Sequence, residues 1–281
     1  MSKINSIAEV LREASRTLEN AGVPDARREA GSLLSFVTGK DRTFLIAHSD
    51  DEVSDVDQFR ELVERRAAGE PLQYITGTQD FFGREFRVTP DVLIPRPETE
   101  LLVEAALEVN KTASLICDVG TGSGCIALTL LCELAHARAI ALDRSPAALE
   151  IAKFNAQKLA VADRAEFVVS DCFDSLDRHE FDLIVSNPPY VSAGVLEGLQ
   201  REVRDHEPLI ALSPGPDGLS IIRRLIQESP KFLKQSGHLI MEIGFDQGEA
   251  VRSIIDTNVW ELLEVRPDLQ CIPRIVVLRK R

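Results

Sequence analysis

The sequence predicts an α/β protein in which a parallel sheet is preceded by a small helical bundle and a β-hairpin. From residue 99 onward, apolar strand-like runs alternate with helical stretches, which favours a doubly wound parallel sheet. Residues 3–69 show only the apolar spacing of helices. A glycine between two short apolar stretches separates these regions and predicts a hairpin. The predicted parts are the bundle at 1–76, the hairpin linker at 77–93 and the sheet domain at 94–281.

Composition excludes several classes of protein. The chain has 281 residues, 44% hydrophobic and 27% charged, which suits a folded protein with a sizeable core rather than a disordered or fibrous one. Its 45 acidic residues outnumber its 32 basic residues, and neither residues 1–76 nor the remainder has a basic excess. Stable nucleic-acid binding depends on basic residues that neutralise phosphates, so we do not expect it here.

Cysteine usage and apolar patterning indicate the compartment. The five cysteines include no Cys-x-x-Cys pair and the histidines no His-Glu-x-x-His, so we expect neither a disulfide framework nor a metal site. No apolar run reaches the roughly 20 residues of a membrane span, and residues 1–5 do not resemble a signal peptide. We expect a cytoplasmic protein that does not associate with membranes.

The bundle is predicted as four helices. In the first, apolar residues recur every three or four positions from Ile4 onward, and Gly22 ends the pattern. The second helix is expected over about Asp25–Thr38 and the third over Thr43–His48. Ser54 is expected to cap the fourth, because an acidic residue follows three positions later.

The hairpin is predicted over Thr78–Val88, where Phe81-Phe82 precede Gly83. The sheet domain then follows the alternation described above. Its predicted strands are Ser114–Val119, Arg138–Asp143, Ala165–Val169, Phe181–Ser186, His238–Ile243, Leu262–Arg266 and Ile275–Arg279, and its predicted helices include Pro146–Lys158 and Gly218–Phe232.

Three glycines follow the first strand of the predicted sheet. Residues 118–124 read Asp-Val-Gly-Thr-Gly-Ser-Gly, and a helical pattern comes next. Glycine lets a ligand approach the backbone and adopts dihedral angles that other residues resist. The loop also lies at the carboxyl end of a strand, where open α/β sheets bind ligands. A tight turn without a ligand would need neither three glycines nor the acid, Asp143, that ends the next strand.

Two cofactors suit this loop. A dinucleotide site has Gly-x-Gly-x-x-Gly, but the third position of that pattern is Cys125 here. The observed Asp-x-Gly-x-Gly-x-Gly resembles motif I of S-adenosylmethionine-dependent methyltransferases. The resemblance implies that Asp118 lies near the positively charged methionine part and that Asp143 holds the ribose. The implied loop contacts are Gly120, Thr121, Gly122, Ser123 and Gly124.

The third strand ends at Ser170-Asp171-Cys172-Phe173. In such methyltransferases these positions flank the adenine ring. The resemblance therefore implies that Asp171 faces the exocyclic amine, and that Cys172 or Phe173 packs against the ring. A solvated acid beside a core phenylalanine is the alternative interpretation.

The fourth strand runs into Asn187-Pro188-Pro189-Tyr190. The prolines hold the chain extended and remove two backbone donors, which leaves carbonyls to accept hydrogen bonds. A planar NH2 group is a poor nucleophile because its lone pair is delocalised. The Asn187 side chain and the Pro188 carbonyl would each accept one N–H and hold the nitrogen towards a methyl group, while Tyr190 offers a flat apolar face. A proline-rich turn at the end of a strand is the plain alternative.

The glycine loop and the tetrapeptide together resemble the amino-group methyltransferases. These include nucleic-acid adenine N6 and guanine N2 methyltransferases and the glutamine N5-methyltransferases of class 1 peptide chain release factors. Further segments resemble that last family, the HemK-type (PrmC) enzymes, which implies a Rossmann-like seven-stranded class I methyltransferase domain. The segments are Gly69–Gly77, Phe81–Gly83, Ile94–Glu100, Glu207-Pro208, Ala211-Leu212, Asp217–Leu219 and Glu242–Gly244 with Gln247.

This resemblance implies a substrate and its contacts. The cofactor would be S-adenosylmethionine, and the acceptor would be the glutamine of a Gly-Gly-Gln loop in a class 1 release factor. The bundle would add contact area for that large protein. The implied catalytic residues are Asn187, Pro188 and Tyr190, and the implied substrate contacts are these three with Pro189, Arg96 and Phe82. Asn187 is also an implied cofactor contact, and a surface salt bridge is the alternative interpretation of Arg96.

Two positions depart from the family pattern. Cys271 stands where the family often has glycine before an arginine near the end of the chain, which calls the local turn into question. Cys172 directly follows Asp171, where an aromatic residue is usual. Neither position belongs to the predicted catalytic group.

Two other functions fit part of the pattern. A nucleic-acid amino methyltransferase would share the tetrapeptide, but it predicts a basic groove or a recognition domain, and the charge count shows no such bias. A cofactor-sensing module without catalysis would share the glycine loop, but it would not need Asn187. The sequence therefore favours the protein-glutamine methyltransferase.

Overall fold

The structure is a computed structural model that describes residues 5–177 and 180–281, and in it the chain divides into two compact units. The first unit ends at Gly77 and also includes Gln200–His206. The second comprises Thr78–Leu199 and Glu207–Arg281. Ile4, the predicted start of the first apolar stripe, lies outside the described residues.

The first unit is helical, as the apolar spacing predicts. The side chains of Leu18, Leu33, Leu34 and Phe59 are fully buried and form the centre of its core. Its helices are α1 Ile7–Asn20, α2 Ala26–Thr38, α3 Arg42–Ala47, α4 Val56–Ala67 and α5 Leu72–Thr76.

The helix ends show where the sequence prediction was right and where it was wrong. Helix α1 begins with a capping box, in which Ser6 Oγ accepts from the Glu9 amide and the Glu9 carboxylate accepts from the Ser6 amide. Helix α4 begins after Asp55, so the predicted cap at Ser54 is wrong. The Ser54 hydroxyl donates to the Asp55 carboxylate instead, and Asp55 is the residue that precedes the helix.

A buried arginine joins three segments of the first unit. Arg66 of α4 donates to Glu29 of α2 and to Glu202 of the segment Gln200–His206. Its guanidinium is almost fully buried, so both carboxylates are needed to offset the cost of burying the charge. This network explains why a short segment from late in the chain groups with the first unit.

The predicted hairpin is confirmed at the start of the second unit. Strands β1 (Thr78–Phe81) and β2 (Arg84–Arg87) pair antiparallel around a two-residue turn. Both turn residues, Phe82 and Gly83, have positive φ, as the twist of a two-residue hairpin requires. The Phe82 amide donates to Glu100, at the start of the following helix, over 2.7 Å.

The described part of the second unit contains a seven-stranded sheet with the order β5-β4-β3-β6-β7-β9-β8. Its first five strands are parallel, and β9 runs antiparallel to both β7 and β8. The order reverses beside β3, which places the ligand crevice at the carboxyl ends of β3 and its neighbours. The strands are β3 Leu115–Val119, β4 Arg138–Asp143, β5 Ala165–Val169, β6 Phe181–Ser186, β7 Leu233–Glu242, β8 Trp260–Pro267 and β9 Pro273–Lys280.

Helices cover both faces of this sheet. One buried cluster contains Leu102, Ile116 and Leu128, and the other contains Phe181 and Trp260. No helix among the described residues has the length and apolar content to cross a membrane. The helices of the second unit are α6 Glu100–Val109, α7 Cys125–Glu133, α8 Pro146–Lys158, α10 Leu209–Leu212, α11 Ser220–Glu228 and α12 Gly248–Ile254. Helix α9 (Arg201–His206) comes between α8 and α10 in sequence and belongs to the first unit.

The turn between β8 and β9 forms despite the cysteine at the expected glycine position. Cys271 adopts a left-handed conformation with φ 61°. The Asp268 carboxylate accepts from the amides of Gln270 and Ile272, at 2.8 and 3.0 Å, and holds the turn closed. The geometry is therefore the one that glycine would favour, and Cys271 adopts it at a conformational cost.

Candidate active site

A cavity opens at the carboxyl ends of β3, β4, β5 and β6 in the second unit. The loops that follow these strands carry most of the residues that the sequence marks as functional. The predicted residues that line the cavity are Gly120, Thr121, Gly122, Ser123, Asp143, Asp171, Cys172, Asn187, Pro188 and Pro189.

The three loop glycines serve two purposes. All have positive φ, and an added Cβ at Gly120 or Gly122 would meet no atom within 4 Å. At Gly124, which does not line the cavity, a Cβ would lie 2.8 Å from a Leu128 methyl group. The first two glycines therefore leave open space for a ligand beside the backbone, and the third lets the loop pack against α7.

Asp118 lies beneath the loop rather than on the cavity wall. Its side chain is fully buried, and Oδ2 accepts from the Thr121 hydroxyl at 2.7 Å and from the Ala127 amide at 3.2 Å. Oδ1 is buried without a hydrogen-bond partner among the described residues. Burial raises the pKa of Asp118 from 3.8 to about 7. The carboxylate holds the loop in shape, and its predicted role beside the cofactor's positive charge stays a prediction.

Asp143 ends β4 and faces the cavity. One carboxylate oxygen accepts from the Gly122 amide and the other from the Ser145 amide, both at 2.9 Å. These two bonds fix the carboxylate plane against the loop, and each oxygen keeps a lone pair for a further donor. Burial raises the pKa of Asp143, although the backbone donors oppose that effect. A fixed pair of acceptors suits the vicinal hydroxyls of a ribose.

The residues after β5 divide between cavity and core. Asp171 lines the cavity, and its carboxylate accepts from Arg224 at 2.9 Å and lies 3.5 Å from Arg144. Cys172 is buried with φ 49°, and burial raises the pKa of its thiol to about 11. Phe173 does not line the cavity, because its ring stacks on Phe232 at 5.0 Å between centroids. Phe173 is therefore a core residue at this position.

The Asn-Pro-Pro-Tyr segment is fixed at both ends. Before it, the Ser186 hydroxyl donates to the Val119 carbonyl at 2.6 Å, which ties the end of β6 to the end of β3. After it, Gln247 donates to the Tyr190 carbonyl at 3.0 Å. A Cβ at Gly218 would lie only 2.4 Å from that same carbonyl oxygen, so the close approach requires glycine there.

The side chains of the tetrapeptide point in different directions. Asn187 lines the cavity, and its Nδ2 donates to the Thr99 hydroxyl at 3.1 Å. Tyr190 does not line the cavity, and its hydroxyl donates to Glu242 at 3.0 Å. Thr99 donates to the other oxygen of Glu242 at 2.6 Å. Sequence reasoning recognised the segments that contain Thr99 and Glu242 but gave these two residues no role.

Two family models match the chain. The PrmC N-terminal domain matches residues 9–77, and the methyltransferase small domain matches residues 97–202. The release factor glutamine methyltransferase of Koribacter versatilis is 43% identical over 280 residues, which is 98% of this chain and 99% of the relative. The protein of the same description from Nitratidesulfovibrio vulgaris is 44% identical, over 96% of this chain and 94% of the relative.

The chain belongs to the release factor glutamine methyltransferase family. The structure of the Thermus thermophilus 16S rRNA N2 G1207 methyltransferase, in complex with AdoMet and guanosine, is also similar to this protein. It has a TM-score of 0.52 and 18% identity, over 73% of this chain and 50% of that one, and so supports the class I methyltransferase fold alone.

As a member of this family, the protein is an S-adenosylmethionine-dependent methyltransferase, and the cavity fits that cofactor. Gly120 and Gly122 leave space beside the backbone, and Asp143 offers paired acceptors within the same cavity. Among the described residues no cluster of histidine, cysteine or acidic side chains is arranged to hold a metal ion. The residues that would hold the cofactor are therefore the loop backbone and Asp143, with the segment after β5.

Besides Tyr190, two further predicted substrate contacts lie off the cavity wall. Arg96 donates to the buried carboxylate of Glu207 and to the Ile94 carbonyl. Phe82 lies in the hairpin turn, half-buried against the core. Arg96 therefore holds the loop after β6 in place, and the predicted contact of either residue with substrate stays a prediction.

Proposed function

We propose that this enzyme methylates the side-chain amide nitrogen (N5) of the glutamine in the Gly-Gly-Gln motif of class 1 peptide chain release factors. The observation that carries the proposal is the placement of Asn187 on the cavity wall, with its NH2 group bonded to Thr99. That bond leaves the Asn187 side-chain oxygen as an acceptor. The next residue, Pro188, also lines the cavity, and its carbonyl would be the second acceptor.

The reaction needs orientation more than a base. The substrate amide nitrogen is weakly nucleophilic because its lone pair is delocalised into the carbonyl. Asn187 and Pro188 would each accept one of its N–H groups, which presents the nitrogen to the methyl donor and favours the positive charge that develops on it. The bound cofactor supplies an electrophilic methyl group on a sulfonium. One proton leaves the nitrogen after transfer, so no strong general base is required.

Charge and compartment are consistent with a protein substrate. The chain has a net charge of −13, which opposes tight binding to nucleic acid. All five cysteines are free, as expected in a reducing compartment. We propose that the reaction takes place in the cytoplasm, on a release factor, and that the enzyme has no stable nucleic-acid partner.

The decisive experiment follows labelled methyl from S-adenosylmethionine. Purified release factor, the same factor with its Gly-Gly-Gln glutamine changed to alanine, DNA and RNA are incubated separately with the enzyme. We expect label on the intact factor only. Label on the alanine form would move the modification to another residue, and label on DNA or RNA would replace the proposal with the nucleic-acid amino methyltransferase.

A further inference from the structure

We infer that Glu242 and Thr99 are positioning residues that orient the Asn187 side chain, so that its oxygen rather than its NH2 group faces the methyl acceptor. The inference rests on the proposed function for its catalytic meaning. Its structural content, the orientation of one amide, can be tested without any substrate.

The three side chains form an unbroken line of hydrogen bonds. Asn187 Nδ2 lies 3.1 Å from Thr99 Oγ1, and Thr99 Oγ1 lies 2.6 Å from Glu242 Oε2. Thr99 is 1% exposed and Glu242 is 2% exposed, so bulk water does not compete for the hydrogen bond between these two side chains. The line runs from the cavity wall into the interior of the second unit.

The number of protons available along these hydrogen bonds determines which group donates and which accepts in each of them. An ionised carboxylate only accepts, so Thr99 must give its single hydroxyl proton to Glu242. The Thr99 oxygen can then only accept from Asn187, which must present its NH2 group. A side-chain amide has no such preference by itself, because its oxygen and nitrogen ends have nearly the same shape. Glu242 therefore selects the orientation that leaves the Asn187 oxygen in the cavity.

The second oxygen of Glu242 is also occupied. Tyr190 donates to Oε1 at 3.0 Å, so two hydroxyl donors face the carboxylate and neither can exchange roles while it is ionised. Burial and the charge of Glu98 raise the pKa of Glu242, whereas the two hydroxyls and Arg274 lower it. Glu242 thus holds the last residue of the tetrapeptide as well as the first.

The need to fill space in the core does not explain why residue 242 is a glutamate. It makes no ion pair with a lysine, arginine or histidine within the described ranges, and a buried carboxylate without one is costly. A glutamine or methionine would fill the same volume without that cost. An ionised carboxylate, unlike these two residues, can only accept hydrogen bonds. Glu242 therefore determines that Thr99 donates to it and accepts from Asn187.

The test compares isosteric changes at two buried threonines. Thr99→Val removes the hydroxyl and keeps the shape, Thr99→Ser restores a hydroxyl, and Thr129→Val is the matched control, since Thr129 Oγ1 has no hydrogen-bond partner among the described residues. With release factor as substrate, we expect Thr99→Val to lower kcat by about 10- to 100-fold with cofactor affinity unchanged. Thr99→Ser and Thr129→Val should stay within about threefold of the starting enzyme, a range below the typical effect of one lost hydrogen bond.

A double-mutant cycle separates positioning from general damage. If Thr99 acts through Asn187, then Thr99→Val should cause no further loss in an Asn187→Ala background. Full additivity of the two losses would overturn the inference. So would a normal kcat for Thr99→Val in an enzyme that methylates release factor, and that result would leave the proposed function intact.

An NMR measurement addresses the orientation directly. In cofactor-free protein labelled with 15N-asparagine, the Asn187 side-chain NH2 signals are assigned by their loss in Asn187→Ala. We expect slow exchange of one amide proton in the starting protein and in Thr99→Ser and Thr129→Val, and fast exchange in Thr99→Val. Identical exchange in all variants would refute the orientation, whether or not any release factor is methylated.

Discussion

Asn187 donates its side-chain N–H to the hydroxyl of Thr99 at 3.1 Å, although 88 residues separate the two in sequence. The bond joins the segment before α6 to the segment after β6, and both belong to motifs that the sequence marks separately. It also explains why an asparagine, rather than an aspartate, suits this place. An ionised aspartate could only accept hydrogen bonds, whereas an amide donates to Thr99 through its NH2 group and keeps its oxygen to accept from a substrate.

Replacing Asn187 by alanine tests the acceptor mechanism. Asn187→Ala removes one of two acceptors that act in the transition state, so kcat should fall about 10²- to 10³-fold, the usual effect of losing one such group. Cofactor affinity, measured by calorimetry, should change little because the glycine loop and Asp143 are untouched. Near-normal turnover of release factor by this variant would contradict the proposed role of Asn187 as an acceptor for the substrate amide.

Most of the fold is predictable because its signals are local. Strands such as Phe181–Ser186 are short apolar runs that a parallel sheet buries on both faces, and the structure places this strand at the same residues. Strand β7 begins at Leu233, five residues before its predicted start at His238. The polar residues from 234 to 236 interrupt the apolar run there, so periodicity could not reveal the extension.

The sequence predicts those site residues that belong to a recognisable motif. It does not predict pairs of residues that are distant in sequence and come into contact only in the folded protein. Gly120, Asp143 and Asn187 each follow a strand, so their meeting at one sheet edge follows from topology. The pairing of Thr99 with Glu242 joins residues 143 positions apart, and no local pattern indicates it. No local pattern indicates either that the Tyr190 hydroxyl binds this buried carboxylate and does not face the cavity.

Replacing Asp143 tests the cofactor contact. Asp143→Ala removes two acceptors from the cavity edge and frees the Gly122 and Ser145 amides that they hold, so affinity for S-adenosylmethionine should fall at least tenfold. With saturating cofactor, kcat should recover most of its value because the tetrapeptide is unchanged. The control is Asp246→Ala, an exposed acid outside the cavity. If calorimetry shows equal affinities for the two variants, Asp143 does not hold the ribose.

The buried carboxyl of Asp118 should make the cofactor-free protein less stable as the pH rises. Its folded-state pKa is about 7, against an ordinary value of 3.8. A raised pKa means that the folded state holds its proton more tightly than the unfolded state. The resulting stabilisation is complete below about pH 4 and is lost as the pH rises through about 7.

Urea unfolding at pH 5, 6, 7 and 8 measures this loss. The Asp118→Asn variant lacks the titrating group, so its stability relative to the starting protein should rise across this range by up to a few kcal/mol. Asp246→Asn, which removes a carboxyl group at an exposed position, is the matched control. A constant difference between Asp118→Asn and the starting protein would show that Asp118 ionises normally.

Relieving the strained turn at Cys271 should stabilise the fold. Cys271 is exposed and has φ 61°, which costs an L-residue about 1–2 kcal/mol, whereas glycine adopts it freely but loses more chain entropy on folding. The net expectation for Cys271→Gly is a gain of about 0.5–1 kcal/mol in the free energy of unfolding. Cys271→Ala keeps the strain and loses only an exposed thiol, so its stability should be close to that of the starting protein. Equal unfolding midpoints for the glycine and alanine variants would mean that the Asp268 hydrogen bonds, rather than the residue at 271, determine the energy of the turn.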